Sequence, residues 1–296
     1  MALPPDLFHF VSDLVRQEAG IVLEDGKEYL VESRLLPLAR LSGLASTADY
    51  IAALRTRPTL EGRRAVVDAL TTNETFWFRD QEPFEALTRV VIPEVVGRPT
   101  PRRTLRIWSA ACSSGQEAYS IAMLMTEHLL PLDWSVEIVA TDISPTMLER
   151  TRTGTYSQLE VARGLPDAML LKHFRRVGTQ WQVDDHLRSM VTVAPLNLTQ
   201  PFPARPAFDI VFLRNVLIYF DAPTKARIMR QVRQCLTPGG YMFLGAAETT
   251  LGIDDAWERV PLGRFTLNRA PGGPRPPAAP SLAAPAASVM TLARNR

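Results

Sequence analysis

The chain has 296 residues, enough to bury a large core in one or two domains. Hydrophobic residues make up 46% and charged residues 22%, the balance of an ordinary soluble globular protein. A net charge of +2 is too small to indicate a nucleic-acid partner, and the two cysteines, Cys112 and Cys235, make no disulfide scaffold. No apolar run is long enough to cross a bilayer, and the N-terminus lacks a basic region followed by an apolar stretch. A cytoplasmic protein without membrane insertion is the expectation. Residues 1–80 read as helices. Leu7, Phe10, Val11, Leu14 and Val15 recur at helical spacing, and Leu30, Leu35, Leu38 and Leu41 carry a second helix that stops near Gly43. Ser46 caps a third, with Tyr50, Ile51 and Leu54 inward; Val66, Val67 and Leu70 carry a fourth.

Residues 81–269 alternate strands with helices, the pattern of an α/β fold with a mostly parallel sheet covered on both faces. Phe84, Leu87, Val91 and Val95 mark a helix. Strands are expected at 105–108, 136–140, 191–193, 210–213 and 241–244, with Phe265-Thr266-Leu267 closing the zone. Helices are expected over about 116–130 and 224–236, the latter stopped by Pro238-Gly239-Gly240, a turn signal. Residues 150–190 break the rhythm with two short helical stretches and the alternating Gln180-Trp181-Gln182-Val183, which reads as a small insert. Residues 270–296 hold six prolines among alanines and small polar residues, a composition that builds no core and reads as a disordered tail.

Ligands of open parallel sheets bind beyond the carboxyl ends of the strands. Three polar groups fall there. The small-residue loop Ser109 to Gly115 ends in Glu117. It is neither a G-x-G-x-x-G phosphate cradle nor a P-loop, so Glu117 either accepts from a ligand ammonium group or stabilises a helix N-terminus. Asp142 ends the second strand. It suits the two hydroxyls of a ribose, or, with Ser144, caps the next helix. Arg214 and Asn215 follow the apolar run Ile210 to Leu213 and need polar partners there, from a ligand or from a strand-end network; Tyr219 follows. Between the helical and sheet zones lies Thr71 to Arg79, where three aromatics stand beside Asn, Thr and Arg; domain junctions are favoured ligand sites. His9, His128, His173 and His186 show no metal-ligand spacing, so no metal is expected, and Cys112 is read as a packing residue.

The blocks TTNETFWFR (71–79), IWSAACSSGQEAYS (107–120), ATDIS (140–144), FDIVFLRNVLIYF (208–220), LTPGG (236–240) and GAAE (245–248) together resemble CheR-type chemotaxis receptor methyltransferases, in the same order, over about residues 1–268. The resemblance implies a class I methyltransferase fold, Rossmann-like, with an all-helical N-terminal domain and a small antiparallel insert. It implies methyl transfer from S-adenosylmethionine to glutamate side chains of chemoreceptors. By motif match, Asn73, Thr75, Arg79, Glu117, Asp142, Asn197, Leu198, Arg214 and Asn215 would hold the cofactor. Arg79 and Tyr219 would stand beside the reacting centre. Arg34 and Arg40 match the ends of a basic run that meets the receptor in relatives, although Pro37 and Leu38 occupy positions where basic residues are common. The stretch from Phe174 to Val191 is short for an insert that binds a receptor-tail peptide by strand addition, so no tight binding of such a peptide is expected. Two rival readings share the fold: a cofactor-binding regulatory module without transferase activity, and a small-molecule methyltransferase.

Overall fold

The structure is a computed structural model and describes residues 3–97, 103–204 and 206–273. Four helices come first: α1 (Pro5–Ala19), α2 (Glu28–Leu41), α3 (Thr47–Thr56) and α4 (Leu60–Leu70). The Ser46 hydroxyl accepts from the Asp49 amide at the start of α3, and Thr59 does the same for Gly62 at α4, so both helices are capped by side chains. The buried face of α2 is Val31, Leu35 and Ala39; of the leucine row read in the sequence Leu35 lies on it, Leu30 and Leu38 are half-buried and Leu41 is 85% exposed. In α1 Leu7, Val11, Leu14 and Val15 are buried as the spacing predicts, but Phe8 is buried with them and Phe10 is only half-buried. Leucine count alone misses Val31 and Ala39, which share the buried face of α2 with Leu35.

Then follow α5 (Gln81–Ala86), a π-turn at Leu87–Val91, α6 (Ile92–Gly97), β1 (Thr104–Ala110), α7 (Gln116–His128), β2 (Ser135–Asp142) and α8 (Pro145–Thr153). The insert comprises β3 (Thr155–Tyr156), α9 (Gln158–Val161), α10 (Asp167–His173), β4 (Phe174–Val177), β5 (Gln180–Val183) and α11 (Asp185–Ser189). The chain returns to the main sheet through β6 (Val191–Pro195), β7 (Phe208–Leu213), α12 (Ala222–Gln234), β8 (Leu236–Leu244), β9 (Glu258–Leu262) and β10 (Phe265–Arg269).

The main sheet has the order β6-β2-β1-β7-β8-β10-β9. Strands β6 to β8 in that order are parallel, and the β9–β10 hairpin is antiparallel. The chain builds outward from β1 through β2 to β6, then crosses to β7 on the other side. That reversal leaves a crevice at the carboxyl ends of β1 and β7. The insert is a second sheet, antiparallel, in the order β3-β5-β4.

Two differences from the sequence reading have physical reasons. Pro238-Gly239-Gly240 lies inside β8, where the ladder with β7 shifts register between Phe208 and Ile210, so the signal marks an irregularity in a strand rather than a turn. Strand β9, Glu258-Arg-Val-Pro-Leu262, went unread because it contains proline and forms the edge of the sheet. The proline-rich tail beyond residue 273 lies outside the described residues, whereas Ala270 is buried and exchanges backbone hydrogen bonds with Gly239 and Gly240.

The core has two halves. One runs without a break from α1–α4 into one face of the sheet, through Trp108, Val211, Met242 and the inner side of α12. The other packs α5–α7 and the insert on the opposite face, with Ile107, Ile138, Ile210 and Phe212. Trp77 ties the connecting segment 71–80 into that second half. It is fully buried, with ring centroids 4.9 Å from Tyr156 and 5.3 Å from Phe174, both edge-on. Losing such an indole to alanine costs about 3–5 kcal/mol. No described helix is long and apolar enough to cross a membrane.

Candidate active site

A deep cleft, about 900 Å³ counted to its open mouth, lies at the carboxyl ends of β1, β2 and β7. Its size falls within the range of small-molecule and cofactor sites.

The β1 wall is a tight turn. Gly115 has φ +93°, and a Cβ there would sit 2.8 Å from the Thr151 side chain, so only glycine lets the loop approach α8 this closely. Glu117 follows in the first turn of α7. One of its carboxylate oxygens accepts from Ser109 Oγ at 2.8 Å and the other from Arg214 Nη1 at 3.0 Å. Burial raises its pKa, and the Arg214 charge works against that rise. Cys112 is buried beside it; desolvation pushes the thiol well up, which makes it a poor nucleophile.

At the end of β2, Asp142 is 4% exposed. One oxygen accepts from the Ser113 amide at 2.8 Å and the other from the Ser144 amide at 2.9 Å. The Ile143 amide donates to it as well, so of about four acceptor positions on a carboxylate one stays free for a ligand hydroxyl. Burial raises the Asp142 pKa, and the backbone donors partly offset it. The capping role belongs to Ser144, whose hydroxyl accepts from the Met147 amide and donates to Asp68 of α4.

At the end of β7, the Arg214 side chain is 1% exposed and lies between two carboxylates, Glu117 and Asp80, each at 3.0 Å; it also donates to the Arg79 carbonyl. Asn215 takes the left-handed conformation, φ +57°. Tyr219 lines the cleft, and its carbonyl accepts from the Val22 amide at 2.9 Å, which brings the exit of α1 over the site.

The opposite wall is the segment 71–79. The Asn73 carbonyl accepts from Ser113 Oγ at 2.8 Å, so the segment is joined directly to the β1 loop. Arg79 donates to the Glu74 carbonyl at 2.8 Å, with its guanidinium 5.6 Å from the Phe76 ring centroid. Thr75 lines the same wall. From the β6 exit, Asn197 and Leu198 close the floor. The Asn197 amide is committed to the fold: it donates to the Glu18 carbonyl at 2.6 Å and accepts from Thr199. Ala111, Ser113 and Asn215 line this cleft with positive φ without being glycine, and Phe78 and Asp80, on either side of Arg79, share that conformation. Such strain gathers where a site over-determines its backbone.

Residues 6–71 match the family described as CheR methyltransferase, all-alpha domain, and residues 73–265 match CheR methyltransferase, SAM binding domain. The chain belongs to the CheR methyltransferase family. It is 45% identical over 251 residues to chemotaxis protein methyltransferase Cher2 of Pseudomonas putida, covering 83% of this chain and 91% of that protein. It is 44% identical over 256 residues to a chemotaxis protein methyltransferase of Vibrio parahaemolyticus, covering 84% and 91%. It is 42% identical over 270 residues to chemotaxis protein methyltransferase 1 of Pseudomonas aeruginosa, covering 89% and 97%.

For a CheR family member the donor set suits S-adenosylmethionine. Among the described residues no phosphate cradle lines the cleft, Asp142 keeps an acceptor position at the β2 end, and Ile143, Leu196 and Leu198 form an apolar surface on which a base could lie. Ten residues singled out in the sequence converge on one cleft: Asn73, Thr75, Arg79, Glu117, Asp142, Asn197, Leu198, Arg214, Asn215 and Tyr219. Arg34 and Arg40 do not reach it. Arg34 donates to the Leu70 carbonyl at 2.8 Å, the Thr71 carbonyl at 3.2 Å and Thr72 Oγ1 at 3.2 Å, so it caps the C-terminus of α4 and steadies the segment beyond. Arg40 is exposed at the end of α2 and makes no ion pair among the described residues. The sequence reading missed Ala19 and Ile21, which roof the cleft. Nothing local marks them; only the packing of α1 against the β6 and β7 exits brings them there.

Proposed function

We propose that the protein transfers a methyl group from S-adenosylmethionine to glutamate side chains of chemoreceptors, forming glutamate methyl esters. One observation carries the reading: Arg79 and Tyr219 open into the same cleft as the Asp142 and Glu117 carboxylates, so a cofactor site and a site for an anionic side chain are continuous. When bound, the cofactor supplies an electrophilic methyl group on a sulfonium.

Asp142 would accept from the ribose of the bound cofactor, and Glu117 would face its ammonium group. Arg214 favours the ionised form of Glu117 against burial and orients it through its 3.0 Å contact. A glutamate carboxyl ordinarily titrates near about 4.3 and is ionised at neutral pH, so no strong general base is required. Catalysis then rests on alignment and exclusion of water. Arg79 spends one donor on Glu74 and keeps the rest of its planar fork for an incoming carboxylate, which lysine would not match. Tyr219 walls the methyl group and donates toward the substrate.

Receptor contact belongs to the exposed end of α2, where Arg40 is exposed, whereas Arg34 of the same helix is committed to the end of α4. The short β4–β5 hairpin argues against tight capture of a receptor-tail peptide, and calorimetry with such a peptide is expected to show no micromolar binding.

The test uses labelled cofactor with a purified receptor cytoplasmic fragment. Base-labile label on the fragment is expected, with Arg79→Ala and Tyr219→Phe folded but slowed by about 100-fold and about 10-fold. Wild-type rates in both variants discard the assigned roles. A folded protein that binds S-adenosylhomocysteine yet labels no receptor fragment favours the binding-module reading.

A further inference from the structure

Glu248 lies on the loop after β8, outside the cleft lining, yet its carboxylate is the most heavily used acceptor near the site. One oxygen accepts from the Asn215 amide at 2.8 Å and the Gly245 amide at 2.7 Å. The other accepts from the Val216 amide at 2.9 Å and the Leu217 amide at 2.7 Å. Four backbone donors from the exits of two neighbouring parallel strands therefore close on one anion. Two of them, Val216 and Leu217, start the 3₁₀ turn Leu217–Tyr219, where free amides need an acceptor. A cap would need only those two. The other two link the turn to the β8 exit and hold Asn215 in its left-handed conformation, unfavourable for a residue with a Cβ. Gly245 permits the approach: a Cβ there would sit 2.5 Å from Asn215 Nδ2.

We propose that Glu248 is a positioning residue for methyl transfer: its carboxylate fixes the path of residues 214–219 and so places Asn215 and Tyr219 in the cleft. This rests on the reading of Asn215 as a cofactor contact and Tyr219 as a substrate contact. The chemistry needs an anion with two equivalent oxygens. Glutamine keeps the shape but puts an NH₂ in place of one oxygen, so two of the four amides face a donor instead of an acceptor. Aspartate keeps the charge but is one methylene short of reaching both strand exits.

The experiment compares Glu248→Gln and Glu248→Asp with the wild type in the full chain, by calorimetric binding of S-adenosylhomocysteine and by steady-state methyl transfer. Glu248→Gln is expected to weaken product binding by about tenfold and to lower kcat at saturating cofactor by about tenfold, with receptor KM changed by less than about twofold. Glu248→Asp should fall between. Glu248→Gln combined with Tyr219→Phe should be no slower than the slower single variant, because both remove the same alignment. Val232→Ala, in the α12 core, serves as the control for stability: it should lower Tm and leave binding and kcat unchanged. Wild-type binding and kcat in Glu248→Gln, multiplicative effects in the double variant, or Val232→Ala shifting binding and kcat as Glu248→Gln does would each overturn the proposal. If Glu248→Gln fails to fold, the aspartate variant carries the same comparison. A wild-type protein that binds S-adenosylhomocysteine but transfers no methyl group defeats the substrate reading alone, and the binding measurements still decide on Glu248.

Discussion

The two walls of the cleft are built differently. The strand-end wall is made of carboxylates and a guanidinium locked by short, largely buried contacts, Asp142 on backbone amides and Glu117 on Ser109 and Arg214, and it is backed from outside the lining by Glu248 on four amides. The 71–79 wall has no regular structure. It is held by side chains that arrive from elsewhere: Arg34 on the Leu70 and Thr71 carbonyls, Ser113 on the Asn73 carbonyl and Ser120 on the Phe78 amide. The strand-end wall suits fixed recognition of a cofactor. The other wall, half-exposed at Thr75, Phe76 and Arg79, suits a substrate that must enter and leave.

The largest effect should come from removing the central cation of the first wall. Arg214→Ala strands Glu117 and Asp80, and urea unfolding should show a loss of about 3–5 kcal/mol along with loss of product binding. A loss under about 1 kcal/mol would mean that the strand-end wall is not held as described.

Next is the charge on Asp142. Asp142→Asn should weaken S-adenosylhomocysteine by about 1.5–3 kcal/mol, the usual worth of hydrogen bonds to a charged group. Because burial lifts the Asp142 pKa, wild-type binding should be full at neutral pH and fall on acidification, starting above the ordinary value of 3.8. For folding the sign is reversed. A carboxyl that holds its proton more tightly when folded adds stability below 3.8 and loses it as pH rises through the raised value. Calorimetry from pH 7 downward checks the binding arm, and a profile as flat in the wild type as in Asp142→Asn would contradict it.

The smallest effects separate two arginines of one helix. Arg34→Ala should cost about 1–2 kcal/mol in urea unfolding, since three acceptors at the end of α4 lose their donor. Arg40→Ala should stay within about 0.5 kcal/mol and change only kcat/KM with a receptor fragment. Equal stability losses in the two would erase the distinction.

The strand-end residues were legible from position. A polar residue directly after an apolar strand, as at Asp142 and Arg214, has few places to go except the crevice. The segment 71–79 was legible from composition and from its place between two zones. What stayed hidden was partner choice. Arg34 and Arg40 look alike in sequence, six residues apart, and differ only because α4 ends beside one of them. Glu248 stood within a motif block, but its role depends on β7 and β8 being neighbours. The face of α2, the burial of Phe8 rather than Phe10 in α1, the strand course of Pro238-Gly239-Gly240 and the roofing Ala19 and Ile21 were likewise settled by packing rather than by local pattern.

A crystal structure with S-adenosylhomocysteine tests the shared cleft most directly. The ribose hydroxyls are expected on the Asp142 carboxylate, with the sulfur facing Arg79 and Tyr219 across the gap. Product bound against the strand ends but out of reach of residues 73–79, or bound without contact to Asp142, would contradict a single site joining cofactor and substrate.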